Sequence, residues 1–396
     1  MTALSLTEVR ELRDETPGCQ SGIVHFNHAG ASLPSQGTLD AIIDQLQREA
    51  RDGPMEAGEQ GAILVEKARR AAGQLLNAPA SAIAFASSGS TAWSLAFQAL
   101  GPWQPGDRIL VGRHEWGGNL ASMELAIQAG ARVDVIPCDA SGAACPVALE
   151  AMLDAKVKLI DLTWLPANGG LINPAQAIGD VARRHTIPYF IDAGQAVGQL
   201  PVDVQALQCD VLKSAGRKHL RGPRGTALLY IRPDFLPHLN PAQRDVFSAP
   251  WTAEGFDLRN DARRFETSEV SFALLAGLGN ALHEINQLGI EQVWQRVSKT
   301  SARIREALRQ IPGITLHDLG RTHSGLIAFN LAGWDSFELK QRLGLKRINI
   351  GANGVAYTPL DMQARGLSSV ARISVSPLNT DDDIELLVKA LRELNG

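Results

Sequence analysis

Phe190-Ile191-Asp192-Ala193-Gly194-Gln195-Ala196-Val197-Gly198, followed downstream by Ser214-Ala215-Gly216-Arg217-Lys218-His219-Leu220-Arg221-Gly222-Pro223-Arg224-Gly225, is the stretch on which the reading of the fold turns. The first string closes a short apolar run, Pro188–Ile191, with an acid. The second sets a lysine ahead of a Gly-Pro-x-Gly turn that leads into another apolar run, Ala227–Ile231. Outward from this pair, further runs rich in Val, Ile and aromatic residues mark strands at Ala82–Ala86, Arg108–Val111, Val133–Pro137 and Val157–Leu162. Helical patterns lie between several of them, at Thr91–Leu100, Asn119–Ala129 and Pro174–His185. Alternation of this kind predicts a largely parallel α/β sheet with right-handed crossovers, and such sheets bind ligands beyond the carboxyl ends of their strands.

After about Glu269 the texture changes to one long helical pattern, Phe272 to Leu308, then to strand-like Gly325–Leu331 and Ala371–Val375. The expected division is a large domain over 22–270 and a smaller α+β domain over 1–21 and 271–396. The last element starts at Thr380, whose hydroxyl can cap the first turn, and Asp381, Asp382 and Asp383 favour the positive helix end. Ile384, Leu387, Leu391 and Leu394 then share one face. The segment Leu343–Leu367, with Gly344, Gly351, Gly354 and Pro359, reads as loop-rich and able to edge a site.

Composition narrows the function. A chain of 396 residues, 45% hydrophobic and 20% charged, is long enough for a sizeable core, and a net charge of −4 offers no electrostatic reason for a nucleic-acid or membrane partner. Cys19, Cys138, Cys145 and Cys209 form no Cys-x-x-Cys pair, so neither a metal site nor a disulfide framework is indicated and a reducing cytoplasm fits. Met1 to Glu15 lacks the basic start and apolar run of a signal peptide. No apolar stretch is long enough to cross a bilayer.

An Asp-x-x-Gln after a strand, then a lysine and a Gly-Pro-x-Gly turn, resembles the class V aminotransferase family. The resemblance implies a pyridoxal-5′-phosphate (PLP) enzyme of fold type I: a large domain with a mostly parallel sheet flanked by helices, plus a smaller C-terminal α+β domain. It implies that Lys218 carries the cofactor as a Schiff base, that Asp192 faces the pyridine nitrogen and that Gln195 donates to the phenolic oxygen. The residue types suit the chemistry. A lysine amine near a cationic cofactor in a partly dry pocket becomes nucleophilic, and a carboxylate against the ring nitrogen keeps the ring able to accept electrons from a substrate Cα.

Other segments extend the resemblance over nearly the whole chain. Ser87-Ser88-Gly89-Ser90-Thr91, between a strand and a helix start near Ala92, matches the family's phosphate turn, with Gly89, Ser90 and Thr91 as ligands. Glu115-Trp116 takes the place of the ring that stacks on the cofactor, with His114 as the alternative. Ala371-Arg372-Ile373-Ser374 matches an Arg-x-Ser strand whose arginine binds the substrate α-carboxylate, a task suited to a guanidinium fork. Phe26-Asn27-His28-Ala29-Gly30 resembles a segment bordering the substrate, making Asn27 and His28 candidates, and Phe265-Glu266-Thr267-Ser268 resembles a loop reaching the neighbouring subunit's phosphate. Asn168 lies near a family Asn that touches the phenolic oxygen, although the register favours Ala167. A homodimer with its active site near the interface is implied.

Two departures bear on the reaction. Cysteine desulfurases of the family carry Ser-x-His-Lys at the cofactor lysine; here Ala215, Gly216 and Arg217 precede Lys218, so the phosphate-binding Ser is displaced to Ser214 or lost. Desulfurases also need a thiolate nucleophile from the C-terminal domain, and no cysteine occurs from Lys346 to Ser376. The Arg-Lys-x-Leu-x-Gly-Pro-Arg-Gly string resembles a subgroup holding isopenicillin N epimerase-like proteins and ergothioneine C–S lyases. That resemblance implies Cα deprotonation of an external aldimine, with β-elimination on a sulfur-containing amino acid ranked first, transamination second and epimerisation third. The alternative of a different kind is a non-catalytic PLP-binding regulator.

Overall fold

The computed structural model describes residues 3–395. Its centre is a seven-stranded sheet made of β1 (Ile83–Ala86), β2 (Arg108–Gly112), β3 (Arg132–Ile136), β4 (Val157–Thr163), β5 (Tyr189–Asp192), β6 (Val211–Lys213) and β7 (Ala227–Ile231). The spatial order is β1-β7-β6-β5-β4-β2-β3. Neighbours from β3 to β6 run parallel, whereas β7 runs antiparallel to both β6 and β1. Strands β2, β5, β6 and β7 are buried at every position, because both faces of the sheet are covered. Six of the seven strands coincide, within a residue or two at each end, with runs legible in the sequence. The seventh, β6, is three residues long and shows no periodicity of its own.

Helices α1 (Gln36–Asp52), α2 (Gly58–Leu76), α3 (Gly89–Ala99), α4 (Gly117–Gln128) and α5 (Ala175–Arg184) precede the second half of the chain. The single helix expected over Phe272–Leu308 is two, α6 (Phe272–Leu288) and α7 (Ile290–Arg309), split at Gly289, whose φ of 77° leaves the right-handed helical region. Helix α6 packs closely on α1 and α2. A Cβ on Gly277 would lie 2.5 Å from Ile42 Cγ1, and one on Gly61 would lie 2.5 Å from the ring of Phe272, so hydrogen at these two positions permits the approach.

A second, antiparallel sheet contains β8 (Ile314–Leu316), β9 (Leu326–Leu331), β10 (Gly351–Gly354) and β11 (Ser369–Ser374), in the order β8-β9-β11-β10. Against it lies α8 (Asp381–Asn395), with Ile384, Leu387 and Leu391 buried as the stripe requires. The Thr380 hydroxyl accepts from Asp383 N at 3.3 Å, and Asp383 accepts from Thr380 N at 3.0 Å. Arg13, near the other end of the chain, pairs with Asp383 at 2.9 Å. The Leu343–Leu367 segment is more regular than its glycines suggest, holding β10 and a short helix, Pro359–Ala364. No helix is long and apolar enough to cross a membrane among the described residues.

Candidate active site

The carboxyl ends of β4, β5 and β6 open onto a cavity of about 510 Å³, closed from the other side by β10 and β11. Asp192, the last residue of β5, is 5% exposed. Its Oδ1 accepts from Gly194 N at 2.8 Å, and its Oδ2 accepts from Asn119 Nδ2 at 3.1 Å. Burial works to raise its pKa, but the charges of Lys213 and Lys218 and the Gly194 amide overcome that and hold the carboxyl below its ordinary value. Lys218 follows in the turn after β6 and lines the same cavity. Burial, opposed by Asp192 and reinforced by Lys213, Arg217 and Arg372, lowers its pKa to about 7. A Cβ on Gly194 would lie 2.9 Å from Asp192 Oδ1 and 3.5 Å from Lys218 Nζ, so the acid and the amine meet over one glycine.

Other expected residues join them. Gln195 is buried, donates through Nε2 to Ala29 O at 3.2 Å and leaves Oε1 without a partner. Trp116, N-cap of α4, lines the cavity with its ring edge-on to Tyr357 at 5.3 Å between centroids. The loop carrying it is pinned by buried Glu115, which accepts from Thr163 N at 2.8 Å, Thr163 Oγ1 at 2.7 Å and Asn119 Nδ2 at 2.7 Å. His114 is buried, 3.3 Å from Asp361, and does not line the cavity. Arg372 on β11 donates through Nη1 to Ala167 O at 2.9 Å and through Nη2 to Asn27 Oδ1 at 3.3 Å, while Nε has no partner. Burial lowers its pKa to about 10, still leaving a cation at neutral pH, and no carboxylate pairs with it among the described residues.

Several candidates sit elsewhere. Helix α3 begins at Gly89, two residues before Thr91, so Ser88, Gly89 and Ser90 line the cavity. The Thr91 amide is capped by Ser88 Oγ at 3.0 Å, and the Thr91 hydroxyl lies 2.9 Å from the same oxygen, away from the cavity. Ser214 is fully buried behind the lining, which Ala215 provides instead. Asn168 points into the second sheet, donating to Thr358 Oγ1 at 3.0 Å and accepting from Asn353 at 2.8 Å; Ala167 and Asn353 reach the cavity. Asn27 lines the cavity, but the next side chain in the turn faces the opposite way, and buried His28 lies 3.0 Å from Ser32 Oγ and 3.1 Å from Ser376 Oγ. His25 lines the cavity in its place. Glu266 is a structural pin, accepting from Arg69 at 2.7 and 3.0 Å and from Phe85 N at 2.7 Å. Lys213, Tyr357 and Asn353 are lining residues that no motif in the sequence announced, and Arg217 of the Arg-Lys-x-Leu string lines the cavity beside Lys218.

The chain matches the family model of Aminotransferase class-V over residues 23–387. The chain belongs to this family. It is 30% identical to a cysteine desulfurase of Serratia proteamaculans over 294 residues, 74% of this chain and 72% of that one. It is 28% identical to a probable cysteine desulfurase of Xylella fastidiosa over 378 residues, 93% and 90% of the two chains. In fold it resembles the apo cysteine desulfurase of Thermococcus onnurineus, with a TM-score of 0.90 at 21% identity, covering 100% of this chain and 99% of that one. It also resembles a cystine C–S lyase, with a TM-score of 0.86 at 24% identity over 94% and 98% of the chains. The chain is a PLP-dependent enzyme of this family. The cavity's residues fit that cofactor: an amine brought near neutrality beside a buried carboxylate, a helix start with free amides, and unpartnered atoms on Gln195 and Arg372.

Proposed function

We propose that this class V enzyme acts on a sulfur-containing α-amino acid by proton removal at Cα followed by β-elimination. The observation that carries the reading is one cavity holding Lys218, with its pKa near 7, and Arg372, a buried cation without an acid partner, while no cysteine lines it. An unpaired buried guanidinium is costly, and an anionic substrate group offsets that cost. Persulfide transfer needs a thiolate at the reacting sulfur, and Cys19, Cys138, Cys145 and Cys209 all lie outside the lining.

In this reading Lys218 would hold the aldehyde carbon of the cofactor, Asp192 the ring nitrogen, Gln195 the phenolic oxygen, and Ser90 with the amides that open α3 the phosphate, with Trp116 against the ring. The cofactor, when bound, supplies an electron sink for the pair left at Cα. Arg372 grips the substrate carboxylate and so fixes Cα. Lys218, as a free amine, would take the Cα proton as general base, a role suited to the burial that lowers its pKa to about 7. The pair left at Cα then forms a Cα=Cβ bond as the Cβ–S bond breaks, the sulfur leaves with that bond's pair and takes the proton from Lys218 to depart as a thiol, and water hydrolyses the released enamine to pyruvate and ammonia.

The test is incubation of the holoenzyme with a panel of cysteine conjugates and simple amino acids. Pyruvate with a free thiol supports the proposal. A pyridoxamine form without pyruvate establishes transamination instead, and loss of optical activity alone establishes epimerisation. A homodimer is part of the same reading. It is supported by Leu39, Ile43 and Leu46, which are 40%, 39% and 51% exposed on one face of α1. Sedimentation of the active enzyme as a monomer would contradict it.

A further inference from the structure

The cavity holds a second lysine that the Asp-x-x-Gln and Lys-Gly-Pro pattern does not announce. Lys213 ends β6, and the parallel register sets it directly beside Asp192, the end of β5. Partners in adjacent strands project to the same face, and here the Lys213 Nζ lies 2.6 Å from Asp192 Oδ2 with each side chain 7% exposed. A Cβ on Gly89, the first residue of α3, would lie 3.6 Å from this nitrogen, and one on Gly194 would lie 3.8 Å from it. The ammonium therefore stands between the acid and the amide end of α3, inside the cavity.

The charges around this pair come from three directions. Asp161 on β4 and Glu115 in the loop after β2 are both fully buried. Burial and the charge of Asp192 push both carboxyls up, and the charge of Glu115 adds to the strong rise at Asp161. Lys218 faces Asp192 from the turn beyond β6. Among three buried acids, only Asp192 is held below its usual range, and Lys213 is the cation in direct contact with it. Its two oxygens are already engaged, Oδ1 by the Gly194 amide and Oδ2 by Lys213 and Asn119. A ring nitrogen approaching Asp192 must share the carboxylate with an ammonium.

We propose that Lys213 is a positioning residue that sets how tightly the cofactor's ring nitrogen holds its proton, by competing with it for the Asp192 carboxylate. The inference rests on the assignment of Asp192 to the ring nitrogen. Two cations on one buried carboxylate repel, so an ammonium there lowers the ring nitrogen's affinity for a proton.

The experiment is a pH titration of the holoenzyme reconstituted with cofactor labelled with ¹⁵N in the ring, read by NMR. Wild type is compared with Lys213→Met, Lys213→Arg and Asp192→Asn, and circular dichroism checks that each variant is folded. In Lys213→Met the ring nitrogen keeps its proton to a pH higher by about one unit, a tenfold gain in proton affinity. Lys213→Arg retains the charge and titrates as wild type, whereas Asp192→Asn loses the ring proton at lower pH. Lys213→Gln supplies the same comparison should the Met variant fail to take up cofactor. Coincident titrations of the neutral variant and wild type, with Asp192→Asn displaced, overturn the role of Lys213 alone. An Asp192→Asn titration that matches wild type overturns the assignment of the acid and this proposal with it.

Discussion

The two walls of the cavity differ in how their charges are satisfied. On the wall built by the large sheet, Asp192 pairs with the Lys213 ammonium, and Asn119 ties it to Glu115, which the Thr163 hydroxyl holds in turn. On the wall built by β10 and β11, Arg372 donates only to the Ala167 carbonyl and the Asn27 amide oxygen. Backbone and amide oxygens orient a guanidinium without neutralising it. In the proposed reading the first wall seats a group that stays, and the second receives an anion that comes and goes.

That contrast orders the mutational effects. Removing Lys218 from the first wall gives the largest loss: Lys218→Ala lowers turnover by roughly 10³-fold or more in steady-state assays and abolishes the visible absorption of the bound cofactor. An unchanged spectrum would mean that another lysine holds the aldehyde. Asp192→Asn comes next, with turnover down by roughly a hundredfold while the fold persists by circular dichroism. On the second wall, Arg372→Ala raises KM for carboxylate substrates so that kcat/KM falls about tenfold to a hundredfold, the range of a charge-assisted pair, and leaves the cofactor spectrum alone. Cofactor loss in that variant would erase the distinction between the walls. The smallest effect is at Ser90, where alanine weakens cofactor affinity about fivefold by equilibrium titration.

The same contrast predicts a pH dependence. Capture of cofactor by the apoprotein requires the free amine of Lys218, whose pKa lies near 7 rather than at the ordinary lysine value. Below that pH the protonated amine cannot attack. The second-order rate of cofactor uptake therefore rises about tenfold per unit at acid pH and flattens above about pH 8. A rate still climbing from pH 8 to pH 10 would show a lysine unperturbed by burial.

The first wall was the more legible in sequence because its parts are local. Asp192 and Gln195 fall in one strand-to-turn string, and Lys218 sits beside its Gly-Pro turn. Lys213 was hidden because only the β5–β6 register places it opposite Asp192, and a three-residue strand shows no alternation to count. The second wall is assembled over distance: Arg372 meets Asn27 across 345 positions, and Asn353 meets Asn168 across 185. The Arg-x-Ser strand marks Arg372, but nothing local distinguishes His25 from His28, whose exchange follows from the turn geometry at Asn27–Gly30. Gly289 shows the same limit in the fold, since a glycine inside a helical pattern reveals a break only when its φ is known.

The central claim is that Lys218, and not the neighbouring Lys213, holds the cofactor. Borohydride reduction of the holoenzyme, followed by proteolysis and fragment mass analysis, tests it most directly. The account predicts the reduced pyridoxyl group on Lys218 with Lys213 unmodified; its appearance on Lys213, or on a lysine outside the cavity, would contradict it.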